Sequence, residues 1–287
     1  MKIQGCDCSI VIKTIHCEVN VPYAEETIRE AVSVLQEEAA IEGNGLCKAI
    51  VKKCGVTGCV VTPLTKGTTP LLLYLTMGSA GFPVFVSETR NLYRYSLNLL
   101  PLNDTDSFDL IQDRGIERRV FEQCRIKNFQ MRFEREKAVK LKIDISGERS
   151  ANKYLYSDII NKKSEERFNG NYVEYCINGL EYKNIYGLTI NVKKENGTIT
   201  EIWIRRILDT DFELPDVIDN LVISARLVRD KYENRHFGMF RLLLKKLVFV
   251  SDETNVNRAD TVIDPVRYYV SGGVTTEVFT SGEEVLS

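Results

Sequence analysis

Two short runs that alternate residue by residue constrain this chain more than any other feature. In the first, Phe129, Met131 and Phe133 alternate with Asn128, Gln130, Arg132 and Glu134. In the second, Val139, Leu141, Ile143 and Ile145 alternate with Lys140, Lys142, Asp144 and Ser146. Successive side chains of a strand point to opposite faces, so each run has one apolar and one polar side. The polar Arg135-Glu136-Lys137 lies between them. The pattern predicts an antiparallel pair with a core beneath it and water, or a partner, above it.

The chain has 287 residues, enough for one large domain or two of ordinary size. With 44% hydrophobic and 27% charged residues it can build both a core and a solvated surface. Its 38 basic and 40 acidic residues leave a net charge of −2, which is no footprint for gripping nucleic acid. The longest apolar run, Leu71–Met77, falls far short of the roughly 20 residues of a membrane helix. The start, MKIQGCDCSIVIKTIH, lacks the long apolar stretch and small-residue cleavage site of a signal peptide. A soluble chain that is not exported is expected.

The chain divides at a polar, charged segment near residues 150–170. Before it, a strand is predicted near Ser9–Ile15 and a helix over Ala24–Ile41. The helix rests on the stripe Ile28, Val32, Leu35 and Ala39, with Glu25 and Glu26 in the first turn and Gly43 as the stop. Leu46–Thr62 reads as strand. Thr69, Pro70 and Gly78 bracket a two-turn buried helix, and 79–93 reads as a loop. The second half reads as more purely β, with strands over Tyr172–Ile177, Leu188–Lys193, Ile199–Ile207, Leu221–Val228, Met239–Val250 and Val262–Ile263 and a last hairpin of Val266–Val270 with Val274–Phe279. Asn178-Gly179, Asn196-Gly197 and Gly272-Gly273 mark its hairpin turns, and a loop surrounds Pro215 over Asp209–Asn220. The segments 121–136 and 237–252 also share a register, with Arg125 and Arg241 aligned and Met131 and Phe133 matching Leu247 and Phe249. That likeness suggests a duplication.

No catalytic, cofactor-binding or metal-ligating residue is expected, and no cofactor. The Cys6/Cys8 and Cys54/Cys59 spacings do not fit a zinc ribbon, and only His16 and His236 could assist. Cys124 and Cys176 fall within strand patterns, where a thiol acts as a small hydrophobe. Asp104, Asp106 and Asp109 lack the glycine and terminal glutamate of a calcium loop and read as turn formers. No G-x-S-x-G, G-x-x-x-x-G-K-[ST] or G-x-G-x-x-G motif occurs. The expectation is a non-enzyme.

PLLLYLTMG (70–78), YRYSLNLLP (93–101), FDLIQDRG (108–115), VFEQCRIKNFQMRFE (120–134) and VKLKIDISG (139–147) together make up about a third of the chain. In that order they resemble the tail tube proteins (major tail proteins) of long-tailed, non-contractile phages, in particular the two-domain type. Glu122 stands where that pattern often has glycine. The resemblance implies a mainly β (α+β) fold of tandem tail-tube-like antiparallel barrel or sandwich domains with little helix, at 1–150 and 151–287. It implies a structural subunit of the virion tail tube, made in the host cytoplasm, or of a gene transfer agent. Its partners would be copies of itself, a tape measure protein, and tail terminator or baseplate proteins; DNA would pass through the lumen without specific binding, and no membrane is involved. If the fold is duplicated, three copies would give a ring of pseudo-sixfold symmetry; otherwise six would. Stacked rings would make a hollow conduit. The family's lumens tend to be acidic, whereas the polar face here carries Arg132, Lys140 and Lys142 beside Glu134 and Asp144. The alternatives are a baseplate hub or distal tail protein that caps a tube, and a β-sandwich binding module using Trp203, Tyr182, Tyr186, Tyr268 and Tyr269.

Overall fold

The computed structural model describes residues 9–15, 17–36, 49–80, 84–87, 92–114, 118–147, 149–151, 166–195, 197–207, 214–227, 238–252 and 262–281. His16, His236 and the centre of the polar segment, residues 152–165, lie outside these. In chain order the first strands are β1 (Ser9–Lys13), β2 (Glu18–Val21), β3 (Glu25–Glu26), β4 (Arg29–Gln36) and β5 (Ala49–Pro63). Helix α1 (Thr69–Met77) follows, then β6 (Gly78–Ala80), β7 (Val84–Ser87), β8 (Leu92–Leu99), β9 (Phe108–Asp113), β10 (Arg118–Glu134), β11 (Lys140–Gly147) and β12 (Arg149–Ala151). The remainder are β13 (Val173–Ile177), β14 (Leu180–Glu181), β15 (Ile185–Lys193), β16 (Ile199–Ile207), β17 (Val217–Arg226), β18 (Gly238–Asp252), β19 (Val262–Val270) and β20 (Val274–Ser281). The fold is mainly β, and its strand-to-strand ladders are antiparallel, as expected.

The alternating pair is β10 and β11. Phe129 faces Ile143 and Met131 faces Leu141 across the ladder, and all four side chains are buried with Phe133, Val139 and Ile145. From this pair the sheet extends through β5 to β4 on one side. On the other it runs through β15, β16 and β19 to β18. Strand β18 turns a corner. Lys246 there has φ 53°, and the ladder changes partner from β20 to β19 beside it. A residue in the left-handed region within a long strand bends it and lets it pass from one layer to another. The β19–β20 turn is tied to this bend, where Ser271 N donates to Lys246 O at 2.9 Å and Gly272 N to Lys245 O at 2.9 Å. Beyond the corner, β17 leads to β13 and β14, and β20 leads to β8 with β6 and β7. Among the described residues these pairings do not return on themselves, so the sheet they form is open.

The layers face each other across one apolar cluster that runs from Ile10 to Val278. Phe133 of β10 lies 6.2 Å from Phe240 of β18, and Phe168 meets Phe240 edge-on at 5.0 Å. Helix α1 is buried all round except Tyr74, as a helix inserted into a core must be. Its bounds match the expectation, although the N-cap is Thr68 and not Thr69, and Gly78 closes it with φ 113°. The division expected near residue 150 falls beside residues outside the described set. Strands from its two sides pair directly, β10 with β15 and β8 with β20. Of the two segments compared for duplication, both become long strands. Met131 and Leu247 are buried in each, but Phe133 is buried where Phe249 is 38% exposed.

The helix expected over Ala24–Ile41 is corrected by the structure. Glu25–Glu26 and Arg29–Gln36 are strands paired to β5, from Glu25↔Val61 to Gln36↔Ala49; residues 37–41 lie outside the described set. Thr27, Ile28, Val32 and Val34 are β-branched, and β5 supplies backbone partners along both strands, with a register shift between Ser33 and Val34, which outweighs the helical spacing of the apolar residues. Glu26 therefore serves no helix dipole. Its carboxylate accepts from Ile28 N at 3.0 Å, Gln112 Nε2 at 2.6 Å and Arg114 Nη2 at 2.8 Å. Arg114, of the DRG turn, thereby clamps the end of β9 onto β3. The loop expected over 79–93 is also corrected, since it contains the end of β6, all of β7 and the start of β8. The loop around Pro215 ends at Asp216, where β17 begins.

Two backbone sites explain local choices. Asn178 and Gly179, with φ 50° and 86°, form the two-residue turn between β13 and β14, the geometry that asparagine–glycine favours. A Cβ on Gly170 would lie 1.8 Å from Glu134 O. Only glycine lets the chain entering β13 lie against the end of β10.

Candidate assembly interface

The polar face of β11, β10, β15, β16, β19 and β18 carries its side chains in transverse rows. One row runs Lys140, Arg132, Thr189, Trp203, Arg267, Ser251. The next runs Lys142, Gln130, Asn191, Glu201, Tyr269, Val248. A third begins Asp144, Asn128, Lys193, Ile199. The face thus changes character across the strands. Lys140, Lys142 and Arg132 are exposed cations at one side. In the middle the Arg267 guanidinium lies 5.8 Å from the Trp203 ring centre and 5.3 Å from that of Tyr269, and pairs with Glu201 at 2.8 Å. At the far side Tyr269, Val248 and Val217 are register partners, and all three are exposed apolar side chains.

Two charged groups on these strands are drawn inward. Glu134 ends the alternation of β10 and is only 6% exposed. Burial pushes its carboxyl up, but the Lys137 hydrogen bond and the charges of Lys137, Arg205 and Arg132 outweigh burial and hold it below the usual carboxylate range. The contacts are 2.5 Å to Lys137 Nζ and 3.2 Å to Arg205 Nη1. Lys194 follows β15 and is 2% exposed. Its ammonium donates to Thr76 O in the last turn of α1 and lies 5.9 Å from the Phe129 ring centre.

Burial alone pushes the Lys194 amine down to about 8, against about 10.4 in an unfolded chain. Between those values the folded protein binds fewer protons than the unfolded one, so this group makes stability rise with pH there. Lys194→Met removes that contribution. Thermal melts of both proteins at pH 7.5, 9 and 10 should therefore show the melting temperature of the variant lagging increasingly behind as pH rises. A constant difference would contradict the assignment. Tyrosines common to both proteins cancel in the comparison.

The ends of the sheet are open. Among the described residues, β4 and β7 each have a partner on one side only. Strand β7 carries Val84, Phe85 and Val86 at 49%, 46% and 48% exposure, with Phe85 packed edge-on against Tyr93 at 5.2 Å. Three consecutive exposed apolar residues on an unpaired edge are a template for a further strand. Sequence reasoning missed this edge by assigning it to a loop. The signal was the Val-Phe-Val triplet between Pro83 and Ser87. Lys194 was missed too, although the alternation of Val192 inward and Lys193 outward already aims it at the core.

The residues considered for other chemistry are dispersed. Asp104 sits in a 3-10 turn, Asp106 accepts from the Tyr74 hydroxyl, and Asp109 accepts from Gln123 N at 3.3 Å. That Asp106 contact adds to burial in raising the Tyr74 phenol to about 12. Gln123 has φ 53°, one residue after the Glu122 that departs from the tail tube pattern. Cys124 is buried in β10, its thiol pushed up to about 12 by burial, and Cys176 is half-buried in β13. Tyr268 is a core residue donating to Pro215 O at 3.0 Å, while Trp203, Tyr182 and Tyr186 are half-buried. A cleft of about 420 Å³ lies between Tyr172, Tyr175 and Tyr182. Of its charged residues, Arg226 pairs with Glu174 at 3.2 Å and Arg135 donates to Lys183 O, while Glu181 and Lys183 are exposed. Among the described residues there is no cluster of three or more potential metal ligands, and no helix is long and apolar enough to cross a membrane.

Compared with models of protein families and with curated proteins, the chain matches none.

Proposed function

We propose that this chain is a structural subunit that assembles with copies of itself into the tail tube of a long-tailed, non-contractile phage or a related particle. The observation that carries the reading is the open sheet, whose terminal strand β7 has no second strand partner among the described residues and leaves Val84, Phe85 and Val86 exposed. In a ring such an edge is the joining surface, and only there is it covered. The order of elements supports the reading. The capped leucine helix α1 lies buried beneath β8 and β10, the DRG arginine clamps β9, and the alternating β10–β11 pair forms the wall. Three copies close a pseudo-sixfold ring if the halves are duplicated, and six if they are not. The rings stack around a channel for DNA, in contact with tape measure and terminator or baseplate proteins. The function is mechanical and calls for no catalytic residue or cofactor.

Analytical ultracentrifugation over a wide concentration range tests the association. The expected species are rings of three or six times the 32.7 kDa chain mass, and larger assemblies at high concentration. A monomer at every concentration would sink the reading.

A further inference from the structure

We propose that copies of this chain stack head to tail along the β10–β11 hairpin, with the acidic loop at Asp104–Asp106 of one copy seated on the Arg132, Lys140 and Lys142 patch of the next. The proposal rests on the self-assembly reading above and names the surfaces that join one ring to another.

Arg132 and Lys140 are direct register partners, and Lys142 follows on the same face of β11, roughly 7 Å further along. Like charges directly opposite in an antiparallel pair destabilise it, yet all three side chains are exposed here. Among the described residues none of the three has an ion pair. Glu134, two residues along β10 from Arg132, is already held by Lys137 and Arg205. A patch of this kind costs the free subunit stability and gains only when anions cover it.

The anions lie at the other end of the same hairpin. Arg125 of β10 donates to Asn103 O at 3.2 Å, which places the loop beside the start of the β10–β11 ladder. Seven residues separate Arg125 from Arg132, or roughly 20 Å of strand. Asp104 and Asp106 are exposed in that loop. Arg125 bonds the loop's carbonyls and not its carboxylates, and Tyr74 donates to one oxygen of Asp106. Asp144 faces Asn128, between the two ends. The turn end of the hairpin is thus basic, and the two carboxylates lie in the loop beside its mouth, where Arg125 bonds the loop carbonyls and Lys127 is paired with Glu195 at 2.6 Å. Two different, mutually complementary surfaces at the two ends of one hairpin generate a heterologous, repeating contact. A nucleic acid would be a poorer occupant, because three cations on a chain of net charge −2 give little electrostatic grip.

The test is a charge swap read by sedimentation and by circular dichroism, with wild type, K140E/K142E, D104K/S107K and the four-fold combination. Ser107 is exposed and takes the second lysine, so that the Tyr74–Asp106 contact is kept. Each double variant should raise the concentration needed for stacking about ten-fold or more, as close interfacial charge pairs do. The combination should recover most of the loss. Wild type in ~1 M salt, where charges are screened beyond about 3 Å, should behave like the double variants. Wild type that forms rings and stacks, with K140E/K142E doing so equally well, overturns the stacking proposal and leaves self-assembly standing. Failure of folded double variants to rescue each other also overturns it. So does a duplex oligonucleotide that binds wild type and not K140E/K142E, because it would assign the patch to nucleic acid. A wild-type chain that never associates removes both readings.

Discussion

Replacing Val84 and Val86 together by lysine is expected to leave the chain folded and to abolish its self-association. Both side chains are about half exposed and lie on a strand that, among the described residues, pairs only with β8. Lysine there removes no core contact, and Phe85 keeps its packing on Tyr93. A strand arriving from another copy would have to bury two ammonium groups along its line of approach. Lysine on edge strands opposes edge-to-edge pairing in this way. The loss should be visible as a sedimentation profile fixed at monomer, with an unchanged far-ultraviolet circular dichroism spectrum. Association at the wild-type concentration would show that β7 is not the joining edge.

Phe240→Ala is expected to produce the largest loss of stability of any single core truncation between the layers. Phe240 has no exposure, contacts Phe133 and Phe168, and sits between its register partners Ala225 and Val278. Truncating a buried phenylalanine costs about 3–5 kcal/mol, because the facing layers cannot close on the cavity. That is a large part of the 5–15 kcal/mol typical of a folded domain. Urea unfolding of wild type and variant measures it. A change of under about 1 kcal/mol would mean that the layers do not meet at this ring.

Features set by neighbours in sequence were legible before the structure. The alternation of β10 and β11, the Asn178–Gly179 turn, and the proline-started helix closed by Gly78 all depend on residues a few positions apart. The hairpin expected at Gly272–Gly273 is corrected, since β19 and β20 pair with different parts of β18 and not with each other. The region 24–41 misled because Ile28, Val32 and Leu35 satisfy a helical step, while the β5 strand that captures them lies beyond residue 48. The contacts that shape the candidate interface join still more distant positions. Arg114 meets Glu26 across 88 residues, and Arg205 meets Glu134 across 71. Neither pairing has a local signature. The exposure of β7 was illegible for the same reason, since only the sheet order makes a strand an edge. The wet face was correctly read as mixed in charge. Its separation into a basic patch, an aromatic middle and an aliphatic margin needed the registers of six strands.

The most direct test of the central claim is electron microscopy of the purified chain at concentrations where it associates. Hollow tubes built of stacked rings with threefold or sixfold symmetry are expected. Single closed rings that never stack, or dispersed monomers, would contradict that claim.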